Sequence, residues 1–110
     1  MEENELVSLL ESLGVTRRYL GCGMAAEAIV LLDAASRECG VIQLRQGVYE
    51  PLASQHGCRW QQVERNLRTV VQRAWSVNRQ GLRALAAYPL PVTPSVGEFL
   101  DLLLTYAQRH

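Results

Sequence analysis

Two arginines and two glutamines recur at helical spacing in the second half of the chain, and they offer paired hydrogen bonds. The four residues are Gln61, Arg65, Arg68 and Gln72. They are separated by four, three and four residues, which places them on one face of a helix. Arginine can donate both arms of its fork to guanine, and glutamine can pair with adenine. The alternative is the solvated face of an amphipathic helix.

The residues from Tyr49 onward have the spacing of a helix-turn-helix unit. Ala53, at the fifth place, is small enough for two helices to pack closely. Gly57, at the ninth, allows the positive φ of the turn. Val63, at the fifteenth, anchors the second helix on the first. This spacing predicts that the polar stripe lies on the second helix, where it can enter a DNA major groove.

The net charge of the chain is zero, but the charge is distributed unevenly. Residues 59–83 contain six arginines and one acid, a net charge of +5, while residues 1–58 carry −4 and residues 84–110 carry −1. The balance argues against a general polyanion binder, and the positive segment favours DNA contact at the stripe. The chain has no lysine, so arginine supplies its basic side chains. A functional preference for the planar guanidinium group and a GC-rich genome explain this equally well.

Length and composition predict one all-α domain without a sheet. At 110 residues the chain can form a single core, and it has no β-branched run with period-two alternation. It has no apolar stretch approaching the roughly 18 residues of a membrane span, and its acidic start is not a signal peptide. The three cysteines, Cys22, Cys39 and Cys58, have no metal-ligand spacing and predict reduced thiols in the cytoplasm.

The sequence gives no support for an enzyme. His56 and Cys58 are close enough to suggest thiol-histidine catalysis, but no orienting third group is near, and packing of the turn explains both residues better. The chain has no glycine-rich phosphate loop, paired-carboxylate site or metal-ligand cluster. We therefore predict no enzymatic activity, cofactor or metal.

Apolar periodicity predicts six helices. The first five cover about residues 5–13, 24–37, 44–55, 60–78 and 79–87. Gly47 and Pro51 weaken the third, which either starts late or bends. Ser95 and Glu98 form a capping box for the last helix. Its apolar face is wide enough that a partner chain could cover part of it.

Several short motifs carry a resemblance to a known family. They are LGV at residues 13–15, AAEAI at 25–29, VY..LA at 48–53, VERNLRTVVQRAW at 63–75 and GEF at 97–99. From about Leu10 to Gln108 the chain resembles the C-terminal effector domain of stage zero sporulation protein A. That family of response regulators governs entry into endospore formation in Firmicutes.

The resemblance implies a six-helix domain that binds double-stranded DNA through its fourth helix and regulates transcription. Matching positions make Glu64, Arg65 and Arg68 the expected family contacts. With the stripe and its neighbours, the predicted DNA-binding set is Arg59, Gln61, Gln62, Glu64, Arg65, Arg68, Thr69, Gln72 and Arg73. The last helix resembles the surface through which family members associate on tandem sites. The predicted partner interface is Glu98, Phe99, Leu102 and Tyr106.

Some individual roles stay open at this level. Arg59, Arg73 and Arg79 either contact phosphates or are solvated. Glu64 either accepts from cytosine or pairs with Arg68, and the ion pair is the favoured reading. Trp60 either packs under the turn, which we favour, or presses on a sugar-phosphate. Trp75 is predicted to lie in the core.

The chain also departs from the family pattern. Gln61 and Gln62 replace a small polar and a basic residue, Thr69 replaces a histidine, and the lysine-rich turn is absent. These changes bear on the preferred DNA site rather than on the fold. The family's receiver domain is not found in these residues, so we expect either a fragment or a free-standing effector domain. The alternative function is an interaction module that pairs with a related regulator and modulates it without strong DNA binding.

Overall fold

A computed structural model describes residues 3–16, 19–36, 43–86 and 88–109. Within these ranges it contains no strand, and its helices confirm the predicted all-α class with six helices. They are α1 (Glu3–Ser12), α2 (Leu20–Ser36), α3 (Glu50–His56), α4 (Trp60–Val77), α5 (Arg79–Leu85) and α6 (Val96–Arg109). A π-helical segment, Arg45–Tyr49, runs directly into α3. None of the described helices is both long and apolar enough to cross a membrane.

One predicted helix boundary is wrong, and one predicted helix differs in its internal geometry. Helix α2 begins at Leu20, four residues before the predicted start, and it includes Gly21 and Gly23, two glycines that weaken the helix signal in the sequence. The third helix begins at Leu44, the predicted start, and its irregularity is a π turn around Gly47, just before Pro51. The predicted helix ends at residues 37 and 87, the basic pair Arg17 and Arg18, and Cys39 lie outside the described residues.

The core forms around α2, which packs against α1, α3, α4 and α6. Helix α4 contributes one continuous apolar face, in which every side chain is almost fully buried: Val63, Leu67, Val70, Val71 and Ala74. The opposite face of α4 is therefore the one exposed to solvent, as its periodicity predicts. In α1, the predicted inward residues Leu6 and Leu10 are likewise buried.

Helices α2 and α4 approach each other closely at Gly21. A Cβ atom added there would lie 2.4 Å from the backbone oxygen of Asn66 and 2.5 Å from Cγ2 of Val70. Real Cβ atoms do not come this close to backbone atoms, so α4 can occupy its place only because residue 21 has no side chain.

The start of α6 forms half of the predicted capping box. The Ser95 hydroxyl oxygen accepts a hydrogen bond from the Glu98 backbone N–H at 3.1 Å. The Glu98 carboxylate accepts instead from the Tyr88 hydroxyl at 3.0 Å, which ties α6 to the segment before it. The wide apolar face of α6 packs within the chain against α2, α4 and α5.

Replacing Gly21 with alanine is expected to lower the free energy of unfolding by about 1–3 kcal/mol, because the added methyl group overpacks the contact with α4. Gly23 is the matched control in the same helix, since the nearest atom to a Cβ there is the flexible Glu27 Oε1 at 3.9 Å. Gly23→Ala should instead raise the free energy of unfolding by about 0.5–1 kcal/mol, because alanine favours helix. Urea denaturation measures both changes. Equal changes in the two variants would contradict the close approach.

Candidate nucleic-acid interface

The three residues that predicted a helix-turn-helix unit occupy the places that the unit requires. Gly57 ends α3 in the left-handed conformation, with φ of 66° and ψ of 37°. Ala53 and Val63 are buried, at 5% and 0% exposure, where α3 and α4 pack together. The Cys58 N–H donates to the Ala53 carbonyl at 2.9 Å and closes the turn. The chain then enters α4 at Trp60, and the predicted unit is confirmed.

An aromatic stack fixes the start of α4. The rings of Trp60 and Tyr49 are parallel within 2°, with centroids 6.3 Å apart. The guanidinium of Arg45 lies 4.5 Å from the Trp60 centroid and pairs with Glu50 at 3.3 Å. Trp60 therefore packs against the start of the unit, as favoured from the sequence. Burial raises the pKa of the Tyr49 phenol, and the Glu64 carboxylate adds to this, so the hydroxyl stays protonated.

The predicted stripe lies on the exposed face of α4, opposite the buried apolar face. Its four members and the neighbouring polar residues are all exposed: Gln61, Gln62, Arg65, Arg68, Thr69, Gln72 and Arg73. With 18 residues, α4 is about 27 Å long, which exceeds the roughly 12 Å width of a major groove, so part of this face can enter the groove.

Three of the polar residues on α4 make contacts within the helix. Arg68 forms an ion pair with Glu64, which is the reading favoured for that carboxylate. The Thr69 hydroxyl donates to the Arg65 carbonyl at 3.1 Å, and Gln62 donates to Asn66 at 3.5 Å. In the described part of the chain, no carboxylate lies within ion-pair distance of the Arg65 guanidinium. Of the two arginines in the stripe, Arg65 is therefore the more available donor.

The arginines at the edges of this face differ in how they are held. Arg59 is exposed at the N-cap of α4. Arg73 donates from Nε to the Gly14 carbonyl at 3.3 Å, and its guanidinium lies 5.7 Å from the Tyr19 ring centroid. Arg73 therefore links α4 to the connection between α1 and α2 and is not simply solvated.

Trp75, which was predicted to lie in the core, packs against the core but is not fully buried in it. The ring is only half-buried, and two guanidinium groups lie against it, from Arg79 at 4.6 Å and Arg83 at 5.4 Å from the centroid. The sequence signal for this arrangement was the spacing of four between Trp75, Arg79 and Arg83. This spacing indicates a contact only within one continuous helix. Because α4 ends at Val77 and both arginines belong to α5, the contact could not be predicted from the spacing.

His56 is engaged in a structural contact. Its Nε2 lies 3.1 and 3.2 Å from the two carboxylate oxygens of Glu27, which joins the end of α3 to α2. Cys58 is half-buried in the turn. Among the described residues, no cluster of three or more histidine, cysteine or acidic side chains could hold a metal ion.

The structure does not place the four predicted partner residues on one free surface. Phe99 and Leu102 are buried in the chain's own core, at 1% and 5% exposure. Glu98 is half-buried and hydrogen-bonded to Tyr88, and Tyr106 is half-buried. Of the four, only Glu98 and Tyr106 reach solvent.

A buried helix-turn-helix with an exposed, arginine-bearing second helix defines a DNA-binding domain of the helix-turn-helix class. Comparison with protein families identifies it further. Residues 6–106 match the family described as Sporulation initiation factor Spo0A C terminal. The match covers nearly the whole chain, so the chain belongs to this family of non-enzymatic, DNA-binding regulator domains, and the resemblance is confirmed. No curated protein sequence matches the chain significantly.

Replacing Gly57 with alanine is expected to lower the free energy of unfolding by about 1–2 kcal/mol, because an L side chain is strained in the left-handed conformation. No atom lies within 4 Å of a Cβ built at this position, so the cost is backbone strain alone. Gly57→Asn is the matched variant and should lose less, since asparagine tolerates this conformation. Urea denaturation measures both, and an alanine variant as stable as the wild type would contradict the turn geometry.

Proposed function

We propose that the domain binds double-stranded DNA in a sequence-specific way and regulates transcription in the cytoplasm, as a sporulation-initiation regulator does. The observation that carries this proposal is the exposure of Arg65 and Arg68 on α4, directly after the turn of the helix-turn-helix. The net charge of +5 over residues 59–83 supports it, because a positive pole attracts the phosphate backbone to this face.

Arg65 and Arg68 are the proposed base readers, each bidentate to N7 and O6 of guanine. The ion pair with Glu64 does not prevent this role for Arg68. Exposed pairs one helical turn apart stabilise a protein by about 0.3–0.5 kcal/mol, whereas a bidentate guanine contact discriminates by about 1–3 kcal/mol. Arg68 can therefore leave Glu64 and bind a guanine base. In the absence of DNA, the ion pair holds the Arg68 side chain along the helix.

The remaining members of the predicted set have supporting roles. Gln61, Gln62 and Gln72 are exposed along α4 and can pair with base edges or phosphates. Arg59 and Arg73 lie at its edges, are both exposed and are proposed phosphate contacts.

Selection from a pool of random duplexes, at low and at moderate salt, tests the proposal. We expect a short enriched motif and an affinity that falls steeply as salt rises, because each phosphate contact releases counterions. Weak binding without a motif would instead support the interaction module, which pairs with a related regulator.

Arg65→Ala and Arg68→Ala should each weaken binding to the selected site by about fivefold to a hundredfold and relax its sequence preference. Arg109→Ala, which removes an equally exposed arginine at the far end of α6, is the control and should have little effect. Fluorescence anisotropy with the selected duplex measures all three. Equal losses in the three variants would contradict the recognition role of α4.

Pairing through α6 is the second candidate function. The zero net charge favours it, as do Gln61 and Gln62 in place of the residues that the family tends to have. Any pairing surface here would use Glu98 and Tyr106, since Phe99 and Leu102 are buried. Under this reading, Tyr106→Ala lowers binding cooperativity on two adjacent sites and leaves affinity for a single site unchanged.

A further inference from the structure

The end of α4 carries a cluster of two cations and one aromatic ring, which we call the Trp75 cluster: Trp75, Arg79 and Arg83. Both arginines are exposed, and both guanidinium groups lie against the Trp75 ring. Arg83 also donates from Nε to the Leu90 carbonyl at 3.0 Å, which holds its side chain in place. Stacking on a tryptophan reduces the freedom of an arginine, so less entropy is lost when it binds a further group.

A comparable contact occurs at the other end of α4, with a different charge balance. There Arg45 stacks on Trp60 at 4.5 Å, close to the 4.6 Å between Arg79 and Trp75. Arg45, however, is paired with Glu50. In the described part of the chain, neither Arg79 nor Arg83 has such a carboxylate partner. The Trp75 cluster therefore concentrates two positive charges at one ring, and this favours an anion.

The position of the cluster along α4 indicates which anion it meets. Trp75 lies ten residues after Arg65, which is about 15 Å along the helix axis. The major groove is about 12 Å wide. When Arg65 reaches base edges inside the groove, the Trp75 end of α4 is therefore level with a phosphate strand at the border of the groove. Trp75 also continues the polar ridge of Arg68 and Gln72, at spacings of four and three.

We propose that the Trp75 cluster binds a backbone phosphate of duplex DNA at the border of the major groove. Arg79, oriented by the Trp75 ring, makes the contact, and Arg83 adds charge from its anchored position. The contact is independent of base sequence, because a phosphate carries no sequence information. This inference rests on the proposed function, since it requires α4 to lie in the groove.

Salt-dependent titrations of the full chain test the proposal, with the selected duplex and a scrambled duplex as probes. Arg79→Gln is expected to lower affinity for both duplexes by the same factor, several-fold at low salt. The slope of log affinity against log salt should fall by about 0.9, the value for one phosphate contact. Arg83→Gln should change both quantities in the same direction but by less.

Two control variants separate this contact from a general loss of charge. Arg109→Gln removes one exposed positive charge at the far end of α6, and Arg45→Gln removes an arginine stacked on tryptophan that already has a carboxylate partner. Both should change the salt slope less than Arg79→Gln does. Thermal melting of each variant confirms that its fold is intact.

Single methylphosphonate substitutions, which neutralise one phosphate at a time, locate the contact. At one flanking position the wild type should lose affinity while Arg79→Gln loses none, because the variant no longer contacts that phosphate. A uniform response along the duplex would overturn the proposal, as would an Arg79→Gln slope equal to that of Arg109→Gln, or a changed sequence motif.

If the wild type binds no duplex, the proposed function itself fails. If it binds and selects a motif but Arg79→Gln behaves as the controls do, only this inference fails.

Discussion

The contact between the backbones of α2 and α4 at Gly21 fixes the position of the helix that we propose to face DNA. It leaves no space for a side chain, and the Asn66 side chain adds a second contact by donating to Met24 Sδ at 3.5 Å. Asn66 and Val70 lie on the back of α4, and the arginine stripe lies on its front. Any shift of α4 relative to α2 would therefore move every side chain of the polar stripe together. The stability of the core and the geometry of recognition thus depend on the same contact.

Both ends of α4 are held as well as its back. At the start, the stack of Tyr49 and Trp60 seats the turn. At the end, the Asn78 side chain donates to the Ser12 carbonyl at 2.9 Å and accepts from the Gly81 N–H at 3.0 Å. Asn78 thereby caps α5 and ties the end of α4 to α1. A helix held at three places loses little conformational entropy when it binds, which favours affinity.

Local patterns in the sequence predicted the helix-turn-helix because its requirements are local: a small residue, a glycine and an aliphatic at fixed spacing. The capping Ser95 was predictable for the same reason. Features that depend on distant partners were not predictable. Gly21 lies outside the predicted second helix, although contact with α4 is what requires a glycine there. Phe99 and Leu102 suggested a partner surface, although both are buried in the chain's own core. Trp75 suggested a core residue, although Arg79 and Arg83 from the next helix lie against its ring.

The π-helical segment Arg45–Tyr49 has a consequence for how the length of this domain can vary. A π turn holds one more residue than an α turn. The side chains before it are therefore rotated by about 100° around the helix axis relative to those of α3. That rotation lets Val48 and Tyr49 face the interior while Arg45 still reaches the Trp60 ring. Loss of one residue here would restore a regular helix and turn Arg45 away from the ring. The number of residues in this segment is therefore set by geometry.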